Sequence, residues 1–478
     1  MTRVITVTMG NIKNCKFCLL PMHYKAPPLN PGLIVLVVSI MINLPGIAHS
    51  NTEITPSFSI KESLVDTEED STSDSGQITT IAPGIKVLRE GPRSSLSLDY
   101  QLNAVYNHGF DESDDREVHL LKFLTKYQHS PGKWVSSLRA RSELTNPDPD
   151  GRQNINPDII DDNSRELRTI VVDTAVTDRI TDTIQYRAGL NLDYAEYADT
   201  DDADDTEGRG VQLWLDNIRS LNDFTWITQL DSQIVEDDDN EEHVDTFNLK
   251  LNYRFTRKWS SFVDYTRTET ELLQFEDEAR LVGLTWEPSN RSYITLGVGK
   301  RDDDDTYSID AVSERRNVIY SATYTEKILT SRRETLNQQQ QAFFALPTTQ
   351  SISIIPVLQK RATVNITVIG NHSTYEASVF QTNRSDLTFI EPDETVTGLR
   401  FSYAYQVSPR DEISANLIGQ ERETLETQDF VYFQTIYSRF LSKSETMNIA
   451  FEWVKEDSDE DTNEYERVLV SAEYRVTF

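Results

Sequence analysis

The chain has 478 residues, with 46 Lys or Arg against 78 Asp or Glu, so its formal net charge is -32. This acidic balance argues against nucleic acid and anionic membrane surfaces as partners, because both repel a negative protein. Hydrophobic residues make up only 37% and the mean hydropathy is -0.50, which is low for a soluble protein with a closed core. A membrane β-barrel, by contrast, needs apolar residues on only one face of each strand.

The N-terminal residues 1–48 have the features of a signal peptide. Residues 33–44 form an apolar run after Lys25, and small residues follow up to Ala48, the predicted cleavage site. The run is shorter than the roughly 20 residues of a spanning helix, although an uncleaved membrane anchor is the alternative. Residues 1–21 fit poorly, which indicates a mis-called upstream start codon. Both cysteines lie in this stretch, so the mature protein is expected to have none.

The next segment, residues 49–93, is rich in Ser, Thr, Asp and Glu and poor in apolar residues. Such a composition cannot bury enough apolar surface to order the chain. We therefore expect a disordered acidic periplasmic linker here.

From residue 94 to residue 478 the dominant period is two. Apolar and polar side chains alternate cleanly over residues 184–194, 247–255 and 401–407, so each run has one apolar and one polar face. A soluble β-sandwich gives the same alternation. Runs of about 10–13 residues, aromatics near run ends, and short turns interleaved with long acidic loops such as 301–314 favour a membrane barrel. The fold predicted is an all-β, transmembrane antiparallel β-barrel of about 18–20 strands.

The final run ends on a C-terminal aromatic residue. Tyr474, Val476 and Phe478 lie on its apolar face. This pattern resembles the signal by which outer-membrane barrels are recognised for assembly, so these residues are the predicted barrel assembly signal.

The count of runs is odd, and the mismatch falls at residues 328–359. The spacing of the neighbouring runs suggests that this segment crosses the membrane. Its helix-compatible stretch with four consecutive glutamines, 338–341, suggests a plug or constriction inside the lumen. The alternative is a strand at about 348–358 with a periplasmic loop.

No catalytic, cofactor or metal site is predicted. The seven histidines are scattered, and no nucleophile elbow, phosphate-binding loop or dinucleotide motif is present. We expect the protein not to be an enzyme. The Asp runs, including 302–305 and 237–239, lack the spacing of an organised calcium loop and are interpreted as solvated loop tips, with loose bridging of divalent ions to lipopolysaccharide as the alternative.

Charged side chains of both signs alternate with the apolar face and are predicted to line the lumen. A mixed-charge, hydroxyl-rich lumen suits water and sugars, although these groups could also satisfy one another across a filled interior. The lumen-facing candidates are Arg139, Arg141, Arg187, Lys250, Arg254, Arg400, Asp264 and Glu452.

Short motifs in the C-terminal half carry a family resemblance. Residues 324–332 (YTEKILTSR), 358–361 (LQKR), 407–410 (VSPR) and 474–478 (YRVTF) resemble an uncharacterised outer-membrane barrel-like family associated with exosortase (PEP-CTERM) and exopolysaccharide systems. The resemblance covers about residues 170–478. It implies an outer-membrane component of polysaccharide export or surface sorting, and it implies no catalytic residues.

Together these patterns predict a channel or export component for a hydrophilic polymer in the outer membrane of a Gram-negative bacterium. A non-selective porin and a structural or assembly barrel without an open pore are the alternatives. The expected partners are outer-membrane lipid and lipopolysaccharide, the barrel assembly machinery and polysaccharide export proteins.

Overall fold

The structure, a computed structural model, describes residues 51–69, 72–109, 115–145, 164–198, 206–217, 223–237, 241–271, 275–330, 356–386, 393–424, 427–458 and 464–478. Within these ranges no helix has the length and apolarity required to cross a membrane. The predicted signal peptide and its predicted cleavage site at Ala48 lie outside them.

The described residues form one antiparallel sheet in which each strand pairs with the next, and the last strand pairs with the first. The sheet is therefore a closed barrel of 22 strands, and the predicted all-β transmembrane barrel is confirmed. The strands are β1 Asn51–Glu69, β2 Thr72–Glu90, β3 Ser94–His108, β4 Arg116–Ser130, β5 Trp134–Thr145, β6 Arg165–Arg179, β7 Ile184–Tyr197, β8 Thr206–Asn217, β9 Phe224–Glu236, β10 Glu241–Arg254, β11 Trp259–Thr270, β12 Phe275–Ser289, β13 Ser292–Arg301, β14 Asp304–Arg315, β15 Val318–Thr330, β16 Pro356–Ile369, β17 Ser373–Asp386, β18 Glu394–Ser408, β19 Asp411–Glu423, β20 Thr427–Phe440, β21 Glu445–Ser458 and β22 Tyr465–Thr477.

The connections differ in length between the two ends of the barrel. At the end where even-numbered strands lead into odd-numbered ones, none is longer than 218–223. At the opposite end the connections include 146–164 and 331–355. We call these the turn end and the loop end; short turns face the periplasm and long loops face outward in such barrels.

The prediction of a disordered linker over residues 49–93 is wrong. Residues 51–69 and 72–90 form β1 and β2, and β1 closes the barrel by pairing with β22 from Ser57↔Thr477 to Glu69↔Tyr465. Phe58, Ile60 and Leu64 are exposed apolar residues spaced for one face of β1. The acidic composition masks this alternation. The body from residue 94 contains β3–β22, so β1 and β2 raise the count to 22 from the predicted 18–20.

The prediction that residues 328–359 must cross the membrane is also wrong. Residues 328–330 end β15, residues 356–359 begin β16, and these two strands pair directly, with Thr330 opposite Pro356. Residues 331–355 therefore start and finish at the loop end. The plug prediction for this stretch lies outside the described residues.

The origin of this error is the segment 301–314, which was expected to be a long loop. It contains a tight turn at Asp302 and Asp303, followed by β14. Asp302 adopts a φ of 48°, a left-handed conformation that Asp tolerates better than most residues. One missed strand reverses the predicted direction of every later strand, which made an extra crossing appear necessary.

Candidate functional site

The strand register defines the two faces of the barrel wall. Directly opposed residues of paired strands lie on the same face, so a face can be followed from strand to strand. On β22 one face carries Val468, Val470 and Tyr474, and the other carries Arg467 and Glu473. Following the register through all 22 pairings returns to β22 without a conflict.

The face that continues from Val470 is the outer face. Large apolar residues along it are exposed, among them Leu190, Val282 and Leu399. Near the turn end it carries stacked aromatic pairs, with ring centroids 5.8 Å apart for Trp259 and Trp286. Amphipathic rings of this kind favour the membrane interface. The opposite face therefore lines the lumen.

The register places all eight predicted lumen-facing residues on this inner face. Their contribution to a transport pathway stays a prediction. They do not form a single site, because they lie on six strands: Arg139 and Arg141 on β5, Arg187 on β7, Lys250 and Arg254 on β10, Asp264 on β11, Arg400 on β18 and Glu452 on β21.

Several of these residues contact other inner-face side chains at mid-height. Lys250 lies opposite Asp264, with its Nζ 4.0 Å from a carboxylate oxygen, and 4.9 Å from the ring centroid of Phe262. Asn248 donates to Asp264 at 2.8 Å. These contacts hold the polar groups close to the barrel wall. The Phe262 ring also stabilises the Lys250 ammonium group electrostatically.

A second cation–aromatic contact lies three strands away along the wall. The Arg187 guanidinium lies 4.9 Å from the Trp214 ring centroid, and Arg187 and Trp214 are opposed on β7 and β8.

The loop half of the inner face contains a tightly packed corner. Glu452 and Arg467 are each 2% exposed and form an ion pair of 2.9 Å. The Tyr432 hydroxyl donates to Glu452 at 3.4 Å, and Phe430 and Val454 are buried beside it. Glu452 was predicted on this face, but Arg467 was not singled out. The alternation of β22 contained the signal for Arg467. It lies on the same face of the strand as Glu473, opposite the face that carries Val468 and Val470.

Two further sets of ion pairs lie at the loop-end rim and were not predicted. Glu394 bridges two arginines: it accepts a hydrogen bond from Arg384 at 3.0 Å and forms an ion pair with Arg422, whose Nε lies 2.8 Å from a Glu394 carboxylate oxygen. Arg301 donates to Asp277 at 2.6 Å. Both sets join neighbouring strands, a relation that depends on register and therefore cannot be read from one strand alone.

The predicted assembly signal lies at the turn end of β22. Tyr474 and Val476 are on the outer face, and Phe478 follows the strand with 75% of its surface exposed. The Phe478 N–H donates to the Pro56 carbonyl at 2.9 Å. An exposed terminal aromatic is accessible to a binding partner; recognition itself stays a prediction.

Across the ranges that the structure describes, no three His, Cys, Asp or Glu residues are grouped so that they could hold a metal ion. Of the acidic run 302–305, Asp302 and Asp303 form the turn and the other two begin β14. Lys300 lies 2.9 Å from Asp305, so one of these carboxylates is already paired.

Comparison with known proteins gives a likeness in fold. No family model matches the chain, and no curated protein matches it. A mutant of the ferric enterobactin receptor PfeA from Pseudomonas aeruginosa is similar over 90% of this chain and 81% of that one, with a TM-score of 0.52 and 7% identity. The siderophore receptor PirA from Acinetobacter baumannii is similar over 88% and 80%, with a TM-score of 0.50 and 8% identity. Identity this low shows the fold alone: the chain has the fold of outer-membrane β-barrels.

Proposed function

We propose that this barrel is an outer-membrane channel or export component for a hydrophilic polymer. The observation that carries the proposal is the segregation of the two faces: apolar residues on the outside and hydroxyl, amide and charged groups on the inside. With a strand spacing of about 4.8 Å and a tilt of about 40°, 22 strands give a backbone diameter of roughly 40–45 Å. The inward side chains narrow this diameter, and a polar lumen inside a wall of this size has room for a hydrated chain.

The finer proposal is that the polymer is an exopolysaccharide handled by an exosortase (PEP-CTERM) system. Its support is the resemblance carried by residues 324–332 and 474–478, together with the inner-face hydroxyl groups and aromatic rings. In this role the barrel would work with polysaccharide export proteins, after insertion by the barrel assembly machinery into lipid and lipopolysaccharide.

A barrel without an open pore is the second candidate. The packed corner around Glu452 and Arg467 favours it, because side chains bordering an empty water-filled lumen would be more exposed than 2%. Barrels of 22 strands in outer-membrane transporters also have a plugged lumen.

A conductance measurement distinguishes these candidates. The refolded chain is inserted into a planar bilayer, and neutral oligosaccharides of increasing length are added. We expect stable conductance that longer oligosaccharides block in a concentration-dependent manner. Conductance unaffected by any oligosaccharide would indicate a non-selective porin. A folded barrel that conducts no ions would contradict the channel proposal and favour a structural barrel.

A further inference from the structure

Four cationic side chains lie together on the inner face of β4 and β5. We call Lys122, Lys126, Arg139 and Arg141 the basic wall. In the register, Lys122 is directly opposite Arg141, while Lys126 is opposite Ser137. Like charges directly opposite each other on paired strands are destabilising. On its other side Lys122 is directly opposite Asp99 of β3, so a single carboxylate offsets part of this repulsion.

The carboxylates near the basic wall neutralise only part of it. Arg139 pairs with Asp173 on β6 at 2.8 Å, and Arg141 pairs with Glu143 at 3.2 Å. Lys122 and Lys126 are exposed, and neither has an ion-pair partner within the described part of the chain. Their ammonium groups therefore remain available to the lumen.

Composition alone does not explain the basic wall, because the chain as a whole is strongly acidic. The inner face of β12–β14 shows the opposite balance: the carboxylates of Asp277, Asp304, Asp310 and Glu314 share it with one arginine, Arg301. Charges on the inner face are thus segregated by strand. A wall of one sign beside low-dielectric protein focuses the field and concentrates ions of the other sign.

We propose that the basic wall binds anionic groups, carboxylate or phosphate, on the polymer that enters this lumen. The inference rests on the proposed function and deepens it by assigning an acidic rather than a neutral polymer. Arg139 and Arg141 supply planar guanidinium groups and the two lysines supply mobile ammonium groups, both of which form charge-assisted hydrogen bonds to oxyanions. Ser95 and Ser137, opposite Lys126 on either side, add hydroxyl donors.

The test compares Lys122→Gln/Lys126→Gln with the control Arg280→Gln/Lys300→Gln. The control removes the same charge from the outer face near the loop end of β12 and β13, outside the lumen. In planar bilayers, oligogalacturonate, short polyphosphate and a maltooligosaccharide of matched length serve as blockers. The first two separate carboxylate from phosphate recognition, and the third measures block without charge.

We expect the lumen variant to weaken block by an anionic oligomer by about tenfold or more, since each lost hydrogen bond to a charged group is worth about that factor. Block by maltooligosaccharide should be unchanged, and the control should behave as the parent chain. Equal block of the lumen variant and the parent chain by both anionic oligomers would overturn the proposal.

A second measurement does not require an open pore, so failure of the channel proposal stays distinguishable from failure of this one. The folded chain is treated with a water-soluble amine-acylating reagent, with and without each anionic oligomer, and the modified lysines are identified by mass spectrometry. Protection of Lys122 and Lys126, with Lys300 unprotected, supports anion binding. Unchanged acylation of both, or no acylation of either, contradicts it.

Discussion

The buried ion pair of Glu452 and Arg467 gives the sharpest prediction for stability. Both side chains are 2% exposed and their nearest atoms are 2.9 Å apart, so removal of one partner leaves the other charge in a dry environment. Breaking a buried pair from one side costs about 3–5 kcal/mol. We expect Arg467→Met and Glu452→Leu each to lower the free energy of unfolding by this amount.

Two matched variants make the reasoning testable. The double variant Glu452→Leu/Arg467→Met removes both charges and should recover most of the loss, because a buried pair contributes little beyond an apolar pair of similar volume. Lys133 and Asp178 form a pair of similar length, 2.8 Å, with side chains 58% and 41% exposed. Lys133→Met should therefore cost no more than about 1 kcal/mol.

The assay is urea unfolding of the chain in lipid vesicles, followed by tryptophan fluorescence and by the gel-mobility difference between folded and heated barrel. If Arg467→Met lowers stability no more than Lys133→Met does, the corner around Glu452 is hydrated and its interpretation as dry packing is wrong. If the double variant is as unstable as the single ones, the loss comes from volume rather than charge.

Four further predictions concern the wall. Gly283→Val should impair folding, because a Cβ there would overlap both the Phe262 ring and the backbone carbonyl oxygen of Leu296; equal yields of parent and Gly283→Val would contradict the close packing. Val282→Arg, which puts a charge into the outer apolar belt, should destabilise by about 2–4 kcal/mol in vesicle unfolding, and a loss below 1 kcal/mol would place this residue outside the lipid. Deletion of residues 51–93 should abolish the folded band, since β22 would lose its partner, whereas the linker interpretation expects no effect. Phe478→Asp should slow assembly in cells while leaving unfolding in vesicles nearly unchanged; equal assembly rates would exclude Phe478 from the assembly signal.

The alternation of side chains identified most of the fold from the sequence. Residues 247–255 and 184–194 have apolar files that the structure places on the outer face, and the inner-face charges follow from the same period. β1 was missed because Glu62, Asp66 and Glu68 dilute its apolar file, so an average over the segment resembles disorder. β14 was missed because its two leading aspartates look like a continuation of the acidic turn.

Contacts between strands could not be predicted in the same way. Period two fixes the face of each residue but not the height at which neighbouring strands pair, and a pair such as Arg467 with Glu452 depends on that register. The opposition of Lys122 and Arg141 likewise exists only because β4 and β5 are joined by the turn 131–133 with a register shift between Gln128 and Ser130.

The most direct test of the account is a disulfide between β1 and β22. Ser63 lies directly opposite Ser471, and residues 51–478 contain no cysteine. Ser63→Cys/Ser471→Cys, oxidised after folding in vesicles, should form an intramolecular disulfide that reduction reverses, whereas Ser63→Cys/Glu473→Cys, offset along β22, should react much less. Equal crosslinking of both pairs, or none in the first, would contradict closure of a 22-stranded barrel by β1 and β22.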